Sequence, residues 1–157
     1  LLVFALLTGS LAAADWKPID PTLLTATKPK LEAAAAAETI FWDVYVHDDN
    51  AGNNYLNHIV ENYVRIKLYT AQGVEQYGNI EIPYSSARRM SLIDLAARTI
   101  TPAGKIIEVP SKSMTDQMVE KVGRSKVSVR SFAMPGLEPG AVIEYRWTEV
   151  YSEYVPR

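Results

Sequence analysis

The sequence predicts a mainly β protein: an antiparallel β-sandwich of about seven to eight short strands behind an irregular, partly helical N-terminal lead-in. Two observations carry this. From Ile40 onward, apolar and polar residues mostly alternate with a period of two, which sends successive side chains to opposite faces of a strand. Pro, Gly and Asx clusters punctuate the chain at short intervals, and no strand–helix–strand rhythm runs between them, which argues against a Rossmann-like fold. At 157 residues the chain has the length of one domain plus tails.

The first fourteen residues carry no charge: residues 1–7 are apolar, Thr8-Gly9-Ser10 breaks the run, and Ala12-Ala13-Ala14 supplies small residues at the position of a cleavage site. This is the pattern of a secretory signal peptide, and it is shorter than the ~20 apolar residues of a stable membrane span. The basic n-region and the initiator Met are missing, so residues 1–14 read as a partial signal peptide. The chain then reads as a fragment of an exported, periplasmic or extracellular protein. Residues 15–37 form a Pro/Ala-rich lead-in, in which Pro18, Pro21 and Pro29 break any long helix. The five consecutive alanines within 30–38 favour a short helix on propensity alone, although they offer no apolar stripe to bury. Residues 38–157 form the folded module.

Within the module, residues 40–46 are aromatic and β-branched and predict a strand. The polar cluster from Asp48 to Asn54 predicts a turn. Residues 59–69 alternate, with Val60, Val64, Ile66 and Leu68 on one side and Glu61, Arg65 and Lys67 on the other, as in a strand with one wet face. Residues 70–78 read as a polar break before the short apolar run 80–83. Residues 92–100 and 105–109 flank Thr101-Pro102-Ala103-Gly104, a hairpin loop. Residues 113–122 fit a strand or a short helix, and 126–132 alternate again. The Pro135–Gly140 segment predicts a sharp reversal into a strand at 141–151, where Ile143, Tyr145 and Trp147 share one face and Glu144 and Arg146 the other. Trp42, Tyr145 and Trp147 are expected to fill the core.

Sixteen basic and eighteen acidic residues leave a charge of −2, without the basic excess of a nucleic-acid binder. Cysteine is absent, which excludes disulfides, thiolate metal sites and a cysteine nucleophile within this chain. Asp48, Asn50 and Asn54 resemble part of a calcium loop, but Gly52 falls fifth and Ile59 twelfth, so an Asx-rich hairpin turn fits better. His47 and His58 flank that turn, and a symmetric hairpin would set them face to face, within ~5 Å across the strands. Zinc would still need a third ligand, from Asp48 or Asp49, and two solvated histidines are the simpler reading. Ser85-Ser86 beside Arg88-Arg89 lacks a G-x-S-x-G elbow and a neighbouring histidine, and reads as a polar loop able to meet an acidic partner.

Four segments in order resemble a known bacterial family: residues 66–78 (IKLYTAQGVEQYG), Ile82-Pro83-Tyr84, residues 97–104 (ARTITPAG) and residues 132–145 (FAMPGLEPGAVIEY). They look like the domain-of-unknown-function family 3857 (DUF3857), the N-terminal module preceding a transglutaminase-like domain in many exported bacterial proteins. The resemblance runs from about Ala37 to about Tyr151. It implies a β-sandwich not itself known to catalyse anything, with the Cys, His and Asp of the parent proteins in the following domain. No catalytic residue therefore carries over, and no cofactor or metal is expected. The partner it implies is a downstream transglutaminase-like domain in the same parent protein. A free-standing module binding envelope peptide or polysaccharide is the alternative, and an enzyme built on His47 or His58 a third. Neither nucleic acid nor a stable membrane span is expected. Tyr84, Arg88, Arg89, Tyr151 and Tyr154 are the residues expected to contact a neighbouring domain or ligand.

Overall fold

A computed structural model describes residues 16–85, 90–122 and 125–156. Residues 1–14, expected from the sequence to be a partial signal peptide, lie outside the described residues, as do Ser86, Arg88 and Arg89. Among the described residues, eight strands form two antiparallel sheets, in agreement with the fold class read from the sequence. The strands are β1 (Ala37–Gly52), β2 (Tyr55–Leu68), β3 (Asn79–Ser85), β4 (Met90–Ile100), β5 (Ile106–Glu108), β6 (Thr115–Val122), β7 (Ser125–Ala133) and β8 (Val142–Tyr154). The larger sheet has the order β1-β2-β8-β4-β5 and the smaller β3-β7-β6. The residues between Ser113 and Val122, open between strand and helix, pass from a 3₁₀ turn at Ser111–Ser113 into β6.

The core lies where the small sheet covers one face of the large one. Val64, Ile66 and Leu68 of β2, Ala97 of β4, and Ile143 and Trp147 of β8 meet Ile80 and Ile82 of β3 and Phe132 of β7. These are the alternate positions of each strand, so the period of two sets this face. Tyr145 packs against the same cluster and stacks on Trp147, with ring centroids 5.7 Å apart. Trp42 departs from the core expected for it: it is 60% exposed. It lies on β1, the edge strand, and its indole NH reaches only Asn62 Oδ1, at 3.1 Å.

The Asx-rich turn is tighter than its sequence suggests. The ladder runs through Asp48 and Asn50, and only Asn53 and Asn54 turn, at φ 50° and 63°. Positive φ at both central residues is a primed hairpin turn, which asparagine tolerates and which matches strand twist. The β1–β2 hairpin therefore extends far beyond the small sheet.

Two short helices correct the reading of the connecting segments. The first, α1 (Pro21–Thr25), is the short helical part of the lead-in and lies among the prolines that bar a long one, while the alanine run between Lys30 and Ala36, expected to favour a helix, is not helical. Asp20 Oδ1 caps α1 by accepting from the Thr22 amide at 2.8 Å, and Pro21 stands at the helix start, where its missing NH costs nothing. Leu23 is the residue that α1 buries, a use the alanines could not match. The second, α2 (Ala71–Gln76), replaces the polar break, capped by Thr70 through the Gly73 amide. A Cβ on Gly73 would lie 2.3 Å from the Ala36 carbonyl oxygen, which itself accepts from the Tyr69 and Thr70 amides. Gly73→Ala is therefore expected to cost about 1–3 kcal/mol in urea denaturation, since backbone cannot step aside as a side chain can.

The Pro-Gly segment also plays a different part. It carries the chain from β7 in the small sheet to β8 in the large one, and so crosses between layers instead of closing a hairpin. Gly136 and Gly140 take φ of 62° and 93°, the left-handed conformations that only glycine adopts without strain. The loop is pinned to β2 by Gly140 N to Leu68 O and Leu68 N to Ala141 O, at 2.8 and 2.9 Å.

Candidate functional site

The small sheet leaves part of the large one bare. Past the core, the inner face continues through Trp42, Val44 and Val46 of β1, which are 60%, 53% and 50% exposed. The register sets Val46 opposite Val60, and Val60 opposite Glu149 of β8. Glu149 accepts from the Trp147 indole NH at 2.8 Å and from the Tyr151 hydroxyl at 2.5 Å. It stands at the mouth of a shallow cleft of about 350 Å³ between the sheets, lined also by Tyr84, Met90 and Tyr151.

Two of the expected contact residues, Tyr84 and Tyr151, thus come together in one cleft although 67 positions separate them in the chain. The Tyr84 hydroxyl hydrogen-bonds to Asp116, whose carboxyl is held below the usual range mainly by its bond to Arg130. Tyr154 is not part of this group. It points to the opposite face, where its ring meets Tyr55 at 5.4 Å, edge on. Arg88 and Arg89 fall between Ser85 and Met90 in the chain, outside the described residues.

The histidines do not face one another. His58 pairs with Asp48 in the ladder, and His47 with Ile59, so the rings lie on opposite faces of the hairpin. His58 Nδ1 stands 2.7 Å from Asp48 Oδ1, and both side chains are about half exposed (51% and 56%). His47 Nδ1 is 3.8 Å from Glu61 Oε1, too far for a hydrogen bond. Among the described residues, no three His, Asp or Glu side chains converge as a metal site.

The outer face of the large sheet holds what sequence reasoning missed. Arg65, Glu144 and Arg98 are register partners on β2, β8 and β4, and all three are buried. Arg65 Nε donates to Glu144 Oε1, and Arg98 Nε to Oε2, each at 2.7 Å. The Tyr63 hydroxyl adds a 2.5 Å bond to Oε1, and burial first, then Glu144, pushes that phenol up to about 12. The expected wet face is covered because the lead-in crosses it. Arg65 donates to the carbonyls of Lys17 and Pro18, and Trp16 lies 4.5 Å from the Arg98 guanidinium. Lys67 is also buried, with Nζ bonded to the carbonyls of Leu24 and Gly140, and burial lowers its pKa. Leu23 joins Ile100 and Val142 in a second small core beneath the lead-in. The available signal was Glu144 alternating against apolar partners: a carboxylate opposite arginines on two neighbouring strands.

Beyond this triad the outer face opens into a groove of about 600 Å³ along the hairpin. Asp43, Tyr45 and His47 of β1 line one side, and Glu61 and Tyr63 of β2 its floor. Arg146 of β8 and Asp94 of β4 line the other side. Asp94 sits in a β-bulge at φ 53°, a backbone device that re-aims a side chain. Among the described residues, no helix is long and apolar enough to cross a membrane.

Comparison with known proteins adds two findings. The model of DUF3857, a domain of unknown function with a solved structure, matches residues 57–155. That span begins inside β2 and leaves out the lead-in and β1. Among curated proteins none matches. A solved structure of a candidate protease from Parabacteroides distasonis ATCC 8503 superposes with a TM-score of 0.52 at 17% identity, over 60% of this chain. The aligned part makes up 20% of that protein, so the fold is shared with one segment of a much longer chain.

Proposed function

We infer that this chain, which belongs to the DUF3857 family, is a non-catalytic module of an exported transglutaminase-like protein. In this reading it packs against a catalytic domain of the same parent protein, or presents substrate to it. The observation that carries the reading is the use of the same fold as one fifth of a longer chain described as a candidate protease. Two features support it. The chain has no cysteine, so thiol chemistry in such a parent must come from outside these residues. The apolar strip of Trp42, Val44 and Val46 runs by register toward the Tyr84–Tyr151 cleft, and a packed domain would cover it.

The test begins with the coding frame. Continuation into a domain bearing Cys, His and Asp is expected. In the extended protein, amide hydrogen exchange along Val44 and Val46 should slow at least tenfold relative to the 157-residue chain. A frame without such a domain, or equal exchange in both proteins, overturns the reading. The 157-residue chain should neither hydrolyse nor cross-link peptides on its own.

A further inference from the structure

Among the described residues each sheet ends in two edge strands, and three of the four carry a guard against pairing with another chain. β5 is three residues long, β3 carries Pro83, and β6 shifts register between Met118 and Glu120. β4, which β5 covers only at Arg98–Ile100, is bulged between Ile93 and Ala96. A short strand, a proline and a bulge are devices by which natural sheets keep an edge from being extended. β1 has none of them along its middle. It holds neither Lys nor Pro over 16 residues, and its ladder with β2 runs without a shift from Phe41 to Asn50. Among the described residues, no backbone group outside β2 bonds to this stretch. The open edge is about 30 Å long.

The edge is apolar as well as open: Trp42, Val44, Tyr45 and Val46 are all at least half exposed. Its remaining guard is three carboxylates, and two of them are engaged within the chain, Asp43 by Lys17 and Asp48 by His58. The stretch is also complementary to itself about Tyr45. When two such strands run antiparallel with a two-fold axis at Tyr45, Val44 meets Val46 and Asp43 meets His47, each pair twice. Trp42 then meets Asp48 and Phe41 meets Asp49, so no two carboxylates stand opposite one another. An axis at Val46 would set Asp43 against Asp49, and an axis at Val44 would lose the pairing of Asp43 with His47.

We propose that β1 pairs with β1 of a second copy of this chain, antiparallel about Tyr45, so that two five-stranded sheets join into one. The contact uses the strand edge, whereas the domain packing inferred above uses the inner face, so either stands without the other. An interface of one strand on each side is small, and a dissociation constant of about 10–100 µM is expected.

Sedimentation of the 157-residue chain at up to about 0.5 mM should show monomer and dimer in exchange. Tyr45→Lys sets two ammonium groups on the axis and should weaken the dimer about tenfold. Its urea midpoint should hold, because Tyr45 is 63% exposed. The lack of cysteine lets the register be read by cross-linking. Tyr45→Cys would face its own copy at about 5 Å between Cα atoms, within disulfide reach, whereas Asp43→Cys and His47→Cys would each lie roughly 14 Å from theirs. Oxidation should therefore cross-link the first about tenfold faster than the other two. A chain that stays monomeric overturns the proposal and leaves the edge to a strand of another protein. A dimer unmoved by Tyr45→Lys, or cross-linking as fast at position 43 or 47 as at 45, puts the contact elsewhere and overturns it too. All of these are read on the chain without a catalytic domain, so none bears on the coding frame.

Discussion

Glu144→Leu is expected to destabilise the protein by about 3–5 kcal/mol, the cost of leaving buried charges without their partner. Glu144 is fully buried, and both its oxygens are taken, by Arg65 and Arg98 with Tyr63 as a third donor. Removing it strands two guanidiniums beneath the lead-in, where water cannot replace the lost bonds. The triad as a whole should contribute far less than its breakage costs, because desolvating three charges offsets most of their attraction. The triple variant Arg65→Met, Glu144→Leu, Arg98→Met should therefore recover part of that loss, stopping short of the native protein because Met at 65 also gives up the bonds to the Lys17 and Pro18 carbonyls. Urea unfolding of both variants measures this, and a triple variant as unstable as the single one contradicts the account. The carboxylate also helps to hold the Tyr63 phenol at about 12, so in Glu144→Gln that group should ionise earlier in an absorbance titration.

Removal of residues 16–34 is expected to lower stability by about 3–5 kcal/mol. Hydrogen bonds to charged groups are worth ~1.5–3 kcal/mol each, and burial of one leucine ~2 kcal/mol, partly offset by freed chain entropy. The deletion takes away three carbonyls bonded to Arg65 and Lys67, and uncovers the Ile100–Val142 patch on which Leu23 packs. The lead-in would then be part of the folded unit, although the match to the family starts only at residue 57. Leu23→Ala separates the contributions: it should lose roughly half as much, with the carbonyl bonds kept. An unchanged urea midpoint in the deletion would show that the sheet's outer face can hydrate its charges unaided.

Much of the large-scale order is local in origin. The alternation along residues 59–69 and 141–151 marked Val64, Ile66, Leu68, Ile143 and Trp147 as one face, and all five line the core. The Pro-Gly and Asx clusters marked chain reversals, and the Thr101–Gly104 hairpin forms as expected between β4 and β5. The misses have a common cause. Period two says that Arg65 and Lys67 point away from Val64 and Ile66, but not what lies on the far side. Trp42 alternates like a core residue, and only its place on an edge strand, past the reach of the small sheet, leaves it exposed. The histidines differ from expectation by one step of register, which is enough to put them on opposite faces.

The candidate sites were legible to a lesser degree. Tyr84 and Tyr151 were singled out separately, and the sheet order makes them neighbours. The Arg–Glu–Arg triad and the groove draw on three and four strands as well as the lead-in. The sequence by itself determined the alternation of faces, where most of the chain reversals fall and the lack of cysteine among these 157 residues, because these depend on residues near one another or on composition. Tertiary structure alone decided which polar face is dry, which aromatic side chain is bare and which charges meet. Those depend on what packs over a strand from dozens of residues away, and a strand's own pattern carries no record of its cover.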